Sequence, residues 1–126
     1  MTSGGILVEQ RDIVWVPFPF TDLTDAGKRP ALVVSNTGYN QRTQDVVICA
    51  ITSKPRRSEY GIDITTADLE TGKLDLDSHV KPDRLFTLSK TLILWKMGRL
   101  SIEKGNAVIE NIRRVISTEN SMSLQG

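Results

Sequence analysis

Short apolar runs separated by polar turns make up most of the chain. The run at residues 12–16 is β-branched and aromatic, and it is apolar on both faces, which is typical of a strand inside a sheet. Pro17 and Pro19 follow, and neither can donate a backbone hydrogen bond to a neighbouring strand. The same kind of pattern predicts further strands at residues 31–35, 45–52, 61–65, 80–88 and 92–100.

Polar segments connect these runs. Residues 18–28 contain Thr, Asp and Gly and are predicted to form an exposed loop. Residues 36–44 indicate a turn-rich connection, and residues 66–78 indicate an acidic, turn-rich one. Because little helical pattern lies between the strands, they are expected to pair in antiparallel fashion.

The last part of the chain has a helical period. Ser101 is a suitable N-cap, and Glu103 in the next turn is favourable at the positive end of a helix dipole. Arg113 and Arg114 complement the negative end. One apolar face is predicted from Val108, Ile109, Ile112, Val115 and Ile116. Roughly five to seven short strands and one C-terminal helix indicate a mainly β (α+β) fold, a small antiparallel barrel.

Length and composition fit one globular domain. The chain has 126 residues, of which 39% are hydrophobic and 25% charged, enough to bury a core. We expect one domain over residues 1–126, with its core at about 11–117 and flexible ends at 1–9 and 118–126. The net charge of +1 gives no indication of a nucleic-acid partner, so only local clusters of charge can provide one.

The small numbers of cysteine and histidine residues limit the disulfides and metal sites that the chain can form. Cys49 is the single cysteine and lies in an apolar run, so we expect a buried thiol and no internal disulfide. One cysteine and one histidine exclude a Cys/His zinc site within one chain. No apolar run reaches the roughly 20 residues of a membrane span, which predicts a cytoplasmic protein with no membrane partner.

Familiar catalytic motifs are absent from the sequence. It contains no glycine-rich phosphate loop, no nucleophile elbow and no HExxH zinc motif. An enzyme with this sequence is therefore expected to work without a protein nucleophile, a metal or another cofactor.

Two strand ends carry candidate chemistry. Lys28 and Arg29 precede the second strand. The guanidinium of an arginine held there has a fork of donors that matches phosphate. The alternative is that Arg29 is an ordinary surface cation beside a strand. Hydroxyls follow at the end of the third strand, where they can bind an anion or simply cap the strand. The hydroxyls are those of Thr52 and Ser53. Three cations follow them and form either a phosphate-sized patch or an ordinary solvated loop: Lys54, Arg56 and Arg57.

A third cluster lies at residues 78–84. If this segment is extended, His79, Lys81 and Asp83 fall on one face and could provide a base, an acid and a stabilising charge. Arg84 adds a further cation. The alternative is an ion-paired surface strand. Arg, Thr, Lys and Asp together suit the cleavage of RNA, which carries its own nucleophile in the 2′-hydroxyl and needs only alignment, a proton acceptor and charge neutralisation.

The sequence resembles the PemK/MazF toxins of bacterial toxin–antitoxin systems over about residues 11–116. The similar blocks are DIVWVPF at residues 12–18, KRPALVVS at 28–35, VKPDRLFTL at 80–88 and GRLS at 98–101. The block at 28–35 and its spacing from the first strand are the most specific. Arg11 departs from the pattern, since the family usually has glycine there. A glycine allows a positive φ that arginine resists, so we expect a changed start of the first strand.

The resemblance implies an SH3-like, partly open barrel that forms a homodimer, as in the CcdB/MazF fold. It implies a sequence-specific, metal-independent endoribonuclease that cleaves mRNA, with an antitoxin whose disordered C-terminal segment folds over the groove. By the resemblance, Arg29 stabilises charge and Thr52 contacts the phosphate, while Lys81 and Asp83 match an arginine and an aspartate that act as acid and base. Because lysine cannot form the bidentate fork of arginine, Arg84 or His79 are alternatives for that role. The RNA contacts expected around these four are Lys28, Ser53, Lys54, Arg56, Arg57, His79 and Arg84.

Two other functions are compatible with the sequence. One is a non-enzymatic toxin resembling CcdB, which shares this fold and poisons DNA gyrase through a C-terminal helix. The other is a catalytically inactive protein that binds RNA or an antitoxin. The first strand and the C-terminal helix are candidates for a dimer contact, and a role in the core is the alternative for both. The hydroxyls and the Arg-Pro pair favour the nuclease, since a gyrase binder needs neither.

Overall fold

The computed structural model describes residues 7–17, 27–54 and 58–118. Seven strands and two helices lie in these segments, with short 3₁₀ turns at Thr66–Asp68 and Lys90–Leu92. The strands are β1 (Asp12–Pro17), β2 (Lys28–Val33), β3 (Asp45–Thr52), β4 (Ile62–Ile64), β5 (Leu69–Gly72), β6 (Ser78–Ser89) and β7 (Trp95–Leu100). The helices are α1 (Thr37–Arg42) and α2 (Ile102–Ile116).

All seven strands form one curled antiparallel sheet in the order β4-β6-β3-β2-β1-β7-β5. The predicted mainly β fold with a C-terminal helix is confirmed. β3 covers the residues predicted for it, because its apolar run is continuous and its side chains pack in both cores. β1 lies inside the sheet between β2 and β7 with most of its side chains buried, so it has the role in the core that the sequence offered as one of two alternatives.

Alternate residues of the central strands enter two cores, one on each face of the sheet. In β3, Val46 and Ile48 pack in one core, whereas Cys49 and Ile51 pack in the other. Cys49 is buried as predicted, and this burial raises the pKa of its thiol far above the usual value. The second core is the one that α2 covers, with Val108 as its buried contribution.

α2 begins where the sequence predicts. The Ser101 hydroxyl accepts a hydrogen bond from the Lys104 amide at 3.1 Å, which satisfies one of the helix's first unpaired donors. Ile109 and Ile112 pack beside Val108 on the second core. Ile116, predicted on the same face, is 70% exposed, so the sheet covers the earlier turns of the helix and not its last residue.

Two elements are absent from the sequence prediction. α1 lies within the predicted turn-rich connection, and Asn36 caps its start. Asn40 is the buried residue of this helix, and its side-chain amide donates to the carbonyls of Ser35 and Val8. β5 lies within the predicted acidic connection and pairs with β7. Both are short and weak in intrinsic propensity, so tertiary contacts stabilise them. Val8, which falls within the predicted flexible end, is buried in the first core.

Arg11 adopts a left-handed conformation, with φ of 80°. The sequence predicted that arginine would resist this conformation, which costs about 1–2 kcal/mol for a residue with a side chain. The side chain offsets the cost, because its guanidinium donates to Glu70 at 2.9 Å and to the Leu100 carbonyl at 2.6 Å. The Arg11 backbone also joins β2 to β7, donating to Val33 and accepting from Leu100.

The effect of Gly105→Ala on the free energy of unfolding is expected to depend on the Arg11 side chain. A Cβ at Gly105 would lie 2.7 Å from Cδ and 2.8 Å from Cγ of Arg11. We expect Gly105→Ala to lower the free energy of unfolding by about 1–2 kcal/mol in the wild type. In an Arg11→Gly background the same change is expected to raise it by about 1 kcal/mol, because alanine is the better helix former. Urea denaturation of the four proteins measures this coupling, and an equal effect in both backgrounds would contradict it.

Candidate functional site

A cleft opens where β2 begins and β3 ends. Its volume is about 320 Å³. One part of its lining is basic or carries hydroxyls, with Lys28, Arg29, Thr52, Ser53, Lys54 and Ser78. The other part is mostly apolar, with Trp15, Pro30, Ile51, Leu74, Leu76 and Met97, and Asp75 is the carboxylate that lines it. Two of the basic features predicted from separate parts of the sequence therefore meet in one cleft.

Strand register brings Arg29 and Thr52 together. Ala31 of β2 pairs with Ala50 of β3 in the antiparallel ladder. Arg29 lies two residues before Ala31 and Thr52 two residues after Ala50, and both line the cleft. The two residues are distant in sequence, so the pairing of β2 with β3 brings them to the same cleft.

The Arg29 side chain is half-buried at the edge of β2. Its Nη1 donates to the Lys28 carbonyl at 3.0 Å, which fixes one branch of the guanidinium against the backbone. Lys28 itself is exposed. Two cations of different kinds therefore stand on the same side of the cleft, one planar and held, the other a compact charge on a flexible stem.

The hydroxyl of Thr52 has a structural contact as well as a place in the cleft. Its Oγ1 accepts a hydrogen bond from the Lys54 amide at 3.1 Å and so forms a tight turn at the end of β3. Ser53 and Lys54 in this turn are exposed. Capping of the strand and binding of an anion were the two alternatives predicted for this hydroxyl. The structure shows the cap, and Thr52 also lines the cleft.

His79 is buried, with 6% of its surface exposed. Its Nδ1 lies 2.7 Å from Asp63 Oδ1, and its Nε2 lies 3.4 Å from Ser58 Oγ. Gly61 packs so closely against the ring that a side chain there would collide with it. Both ring nitrogens have protein partners, and His79 is not among the residues that line the cleft, so its contact with RNA stays a prediction. It joins β6 to β4 and to the segment that precedes β4.

The segment 78–84 is not a regular strand. Cys49 pairs with Leu85 and Ala50 with Lys81, so three residues of β6 bulge out of the ladder between these pairs. Pro82 lies in the bulge, where a residue without an N–H costs the ladder nothing. The common face predicted for His79, Lys81 and Asp83 is therefore broken.

The bulge changes the position of the predicted acid and base. Asp83 and Arg84 are exposed at its tip, and neither they nor Lys81 line the described cleft. Asp83 is close enough to Cys49 for its negative charge to add to the effect of burial in raising the pKa of that thiol. Arg56 and Arg57, which were predicted to contact RNA, lie outside the described residues, as do residues 18–26 of the predicted loop.

The sequence analysis missed the apolar half of the cleft. Leu74, Asp75 and Leu76 belong to the segment between β5 and β6, which was predicted only as an acidic connection. Trp15 was predicted as a strand residue, and the apolar run around it was the feature of the sequence that could have indicated its place in the cleft.

Within residues 7–17, 27–54 and 58–118, no group of three His, Cys, Asp or Glu side chains is placed to hold a metal ion. No helix in those segments is long and apolar enough to cross a membrane.

Known proteins share this fold. The family of PemK-like, MazF-like toxins of type II toxin–antitoxin systems matches residues 9–116. A mycobacterial endoribonuclease in complex with its cognate antitoxin is 20% identical, with a TM-score of 0.71 over 86% of this chain and 94% of that chain. The Deinococcus radiodurans MazE–MazF structure (form II) is 19% identical, with a TM-score of 0.69 over 90% and 98% of the two chains. The Mycobacterium tuberculosis toxin MazF-mt6 is 20% identical, with a TM-score of 0.67 over 82% and 94%. None of the curated protein sequences compared with the chain matches it.

Proposed function

Because the chain belongs to the family of PemK-like, MazF-like toxins of type II toxin–antitoxin systems, we propose that it is an endoribonuclease that cleaves single-stranded mRNA. The reaction is sequence-specific and needs neither a ribosome nor a metal ion. The observation that carries the proposal is the convergence of Arg29, Thr52 and Lys54 on one cleft from two neighbouring strands. Donors arranged in this way suit a phosphate whose negative charge grows during reaction.

The chemistry follows from RNA's own hydroxyl group. The 2′-oxygen attacks the adjacent phosphorus, the bond to the 5′-oxygen breaks, and the products are a 2′,3′-cyclic phosphate and a 5′-hydroxyl end. Arg29 neutralises charge on the non-bridging oxygens, and Thr52 positions the phosphate. The departing 5′-oxygen takes up a proton, for which Lys81 is the family-matched donor.

The 2′-hydroxyl proton needs an acceptor. Asp83 is the family-matched candidate, and Asp75 is the carboxylate that lines the described cleft. His79 is a weaker candidate than the sequence suggested, since both its nitrogens are engaged. The proposed acceptor is therefore a carboxylate, with Asp83 and Asp75 as the two positions at which asparagine tests it.

The proposed partner in the cell is an antitoxin. The mycobacterial relative and the Deinococcus relative were solved with antitoxins bound. An acidic disordered segment would meet the same cations that bind phosphate and would fold as it binds. We also propose a homodimer, with its contact outside β1, because that strand is enclosed by its neighbours.

The test is cleavage without metal. A long single-stranded RNA incubated with the pure protein in EDTA is expected to give discrete cuts with 5′-hydroxyl ends, and a DNA strand of the same sequence is expected to survive because it lacks the nucleophile. Primer extension maps the cuts, and end-labelling with and without prior phosphatase identifies the ends. Failure of folded protein to cut several RNAs would contradict the proposal, and loss of DNA supercoiling by gyrase would then favour the CcdB-like function.

A further inference from the structure

The two tryptophans of the chain pack against each other beside the cleft. Trp15 of β1 pairs with Trp95 of β7 on one side and with Pro30 of β2 on the other. Cross-strand partners share a face of a sheet, so the three rings form one row. Trp15 and Pro30 line the cleft, and Trp95 extends the same row beyond it.

Trp95 is held in place yet open to solvent. The centroids of its ring and the Trp15 ring are 5.7 Å apart, and the two planes meet at 18°, which is a stacked arrangement. The Leu94 amide donates to the Trp15 carbonyl at 2.9 Å and fixes the start of β7 against β1. Despite these contacts, 52% of Trp95 is exposed. A large aromatic surface is thus fixed in position, and the described part of the chain leaves about half of it exposed.

The row runs from this aromatic surface to the cations of the cleft. Pro30 is followed back along β2 by Arg29 and Lys28, which line the same cleft. An aromatic surface adjoining a cationic edge has the two features that bind unpaired nucleic acid, since bases stack on the rings and phosphates meet the cations. A paired duplex hides the faces of its bases and cannot use such a surface.

We propose that the stacked Trp15–Trp95 pair is a platform for one unpaired base of the substrate RNA, next to the phosphate held by Arg29. The inference rests on the proposed function and adds to it a base-binding position. Because a stacked ring accepts any base, the platform contributes affinity and alignment, while discrimination among bases comes from polar groups elsewhere in the cleft. Trp95 is therefore a substrate-binding residue and takes no part in proton transfer.

The experiment compares Trp95→Ala and Trp95→Phe with Leu92→Ala as the matched control. Leu92 is an exposed apolar residue of the same region, 42% accessible, that lies in the 3₁₀ turn before β7 and outside the aromatic row. The probe is a single-stranded RNA that carries the cut sequence mapped with the wild-type protein, with a 2′-O-methyl group that blocks attack. Fluorescence anisotropy gives the binding constant, and sedimentation velocity of each variant gives its oligomeric state.

Trp95→Ala is expected to weaken binding by about 5- to 150-fold, the range that corresponds to loss of one base–aromatic stack. Trp95→Phe is expected to keep binding within about threefold, and Leu92→Ala to leave it unchanged. An abasic site at the stacked nucleotide is expected to weaken binding to the wild type by a similar factor. The same abasic site is expected to have no further effect on Trp95→Ala, because ring and base act as a pair.

Three results would overturn the platform. Unchanged binding and cleavage by Trp95→Ala, together with loss of both in Arg29→Ala, would leave the nuclease intact and remove only the platform. A fall in oligomeric state in Trp95→Ala, with RNA affinity retained by the resulting species, would show that the ring contacts a second copy of the chain. Absence of cleavage by the wild type, the result that contradicts the proposed function, would remove both.

Discussion

Replacement of Arg29 by alanine is expected to lower the rate of RNA cleavage by about 10²- to 10³-fold. Arg29 is the half-buried guanidinium of the cleft, and it lines the cleft together with Thr52 where β2 begins and β3 ends. The negative charge on the phosphate oxygens increases as the 2′-oxygen attacks. A donor fixed in advance stabilises that charge more than it stabilises the ground state, so the loss is expected in kcat more than in KM.

Lysine at the same position separates charge from geometry. Arg29→Lys keeps the positive charge, but its ammonium group cannot form two parallel hydrogen bonds to one phosphate. We expect Arg29→Lys to cleave RNA about tenfold faster than Arg29→Ala and still more slowly than the wild type. Rates are measured under single-turnover conditions in EDTA with the RNA that carries the mapped cut sequence.

Arg113→Ala is the matched control, because Arg113 is an exposed arginine of α2 that does not line the cleft. It removes the same charge and is expected to leave the rate unchanged. Wild-type cleavage by Arg29→Ala would refute the assignment of the site. An equal loss in both variants would instead indicate a general effect of net charge on RNA binding.

Substitution of Asp12 by alanine is expected to lower the free energy of unfolding by about 2–4 kcal/mol. The Asp12 carboxylate is almost completely buried, and it accepts hydrogen bonds from Arg99 Nε at 3.0 Å and from the Glu9 amide at 2.9 Å. Lys96 Nζ lies 3.2 Å from its second oxygen. Removal of the carboxylate takes away this shared acceptor, although Arg99 keeps its pair with Glu9 at 3.3 Å and the two cations are partly exposed and can turn to water.

The contacts of Asp12 also affect the site. They fix β7 against the start of β1, and β7 carries Trp95. Urea denaturation at one fixed protein concentration measures the effect, which keeps any contribution from association constant. Glu70→Ala is the control, because its pair with Arg11 is partly exposed and is expected to contribute less than about 1 kcal/mol. A loss below about 0.5 kcal/mol in Asp12→Ala would contradict the prediction.

The charge on Arg99 does not make this stabilisation depend on physiological pH. The hydrogen bond to Asp12 raises the pKa of the Arg99 guanidinium above its usual value. A group with a raised pKa contributes its stabilisation at every pH below its unfolded value and loses it only as the pH rises through the folded value. Both values lie above the physiological range, so Arg99 stays charged there in the folded and unfolded states alike.

Local pattern predicted most of the secondary structure. The continuous apolar run of β3 and the cap and apolar face of α2 are properties of neighbouring residues, so the sequence shows them directly. α1 and β5 were missed for the opposite reason. Buried contacts of Asn40 support α1, and pairing with β7 supports β5, and both partners are distant in sequence.

By itself, the sequence determined the mainly β fold, the C-terminal helix, the burial of Cys49 and the strand ends that carry Arg29 and Thr52. Only the tertiary structure decided which candidate residues meet. Antiparallel pairing of β2 with β3 brought Arg29 and Thr52 to one cleft, whereas the bulge at Pro82 moved Asp83 out of line with Lys81. Partners in β4 and the adjacent segment enclosed His79. The physical reason is that periods and caps depend on near neighbours, while register, bulges and burial depend on residues brought together only by folding.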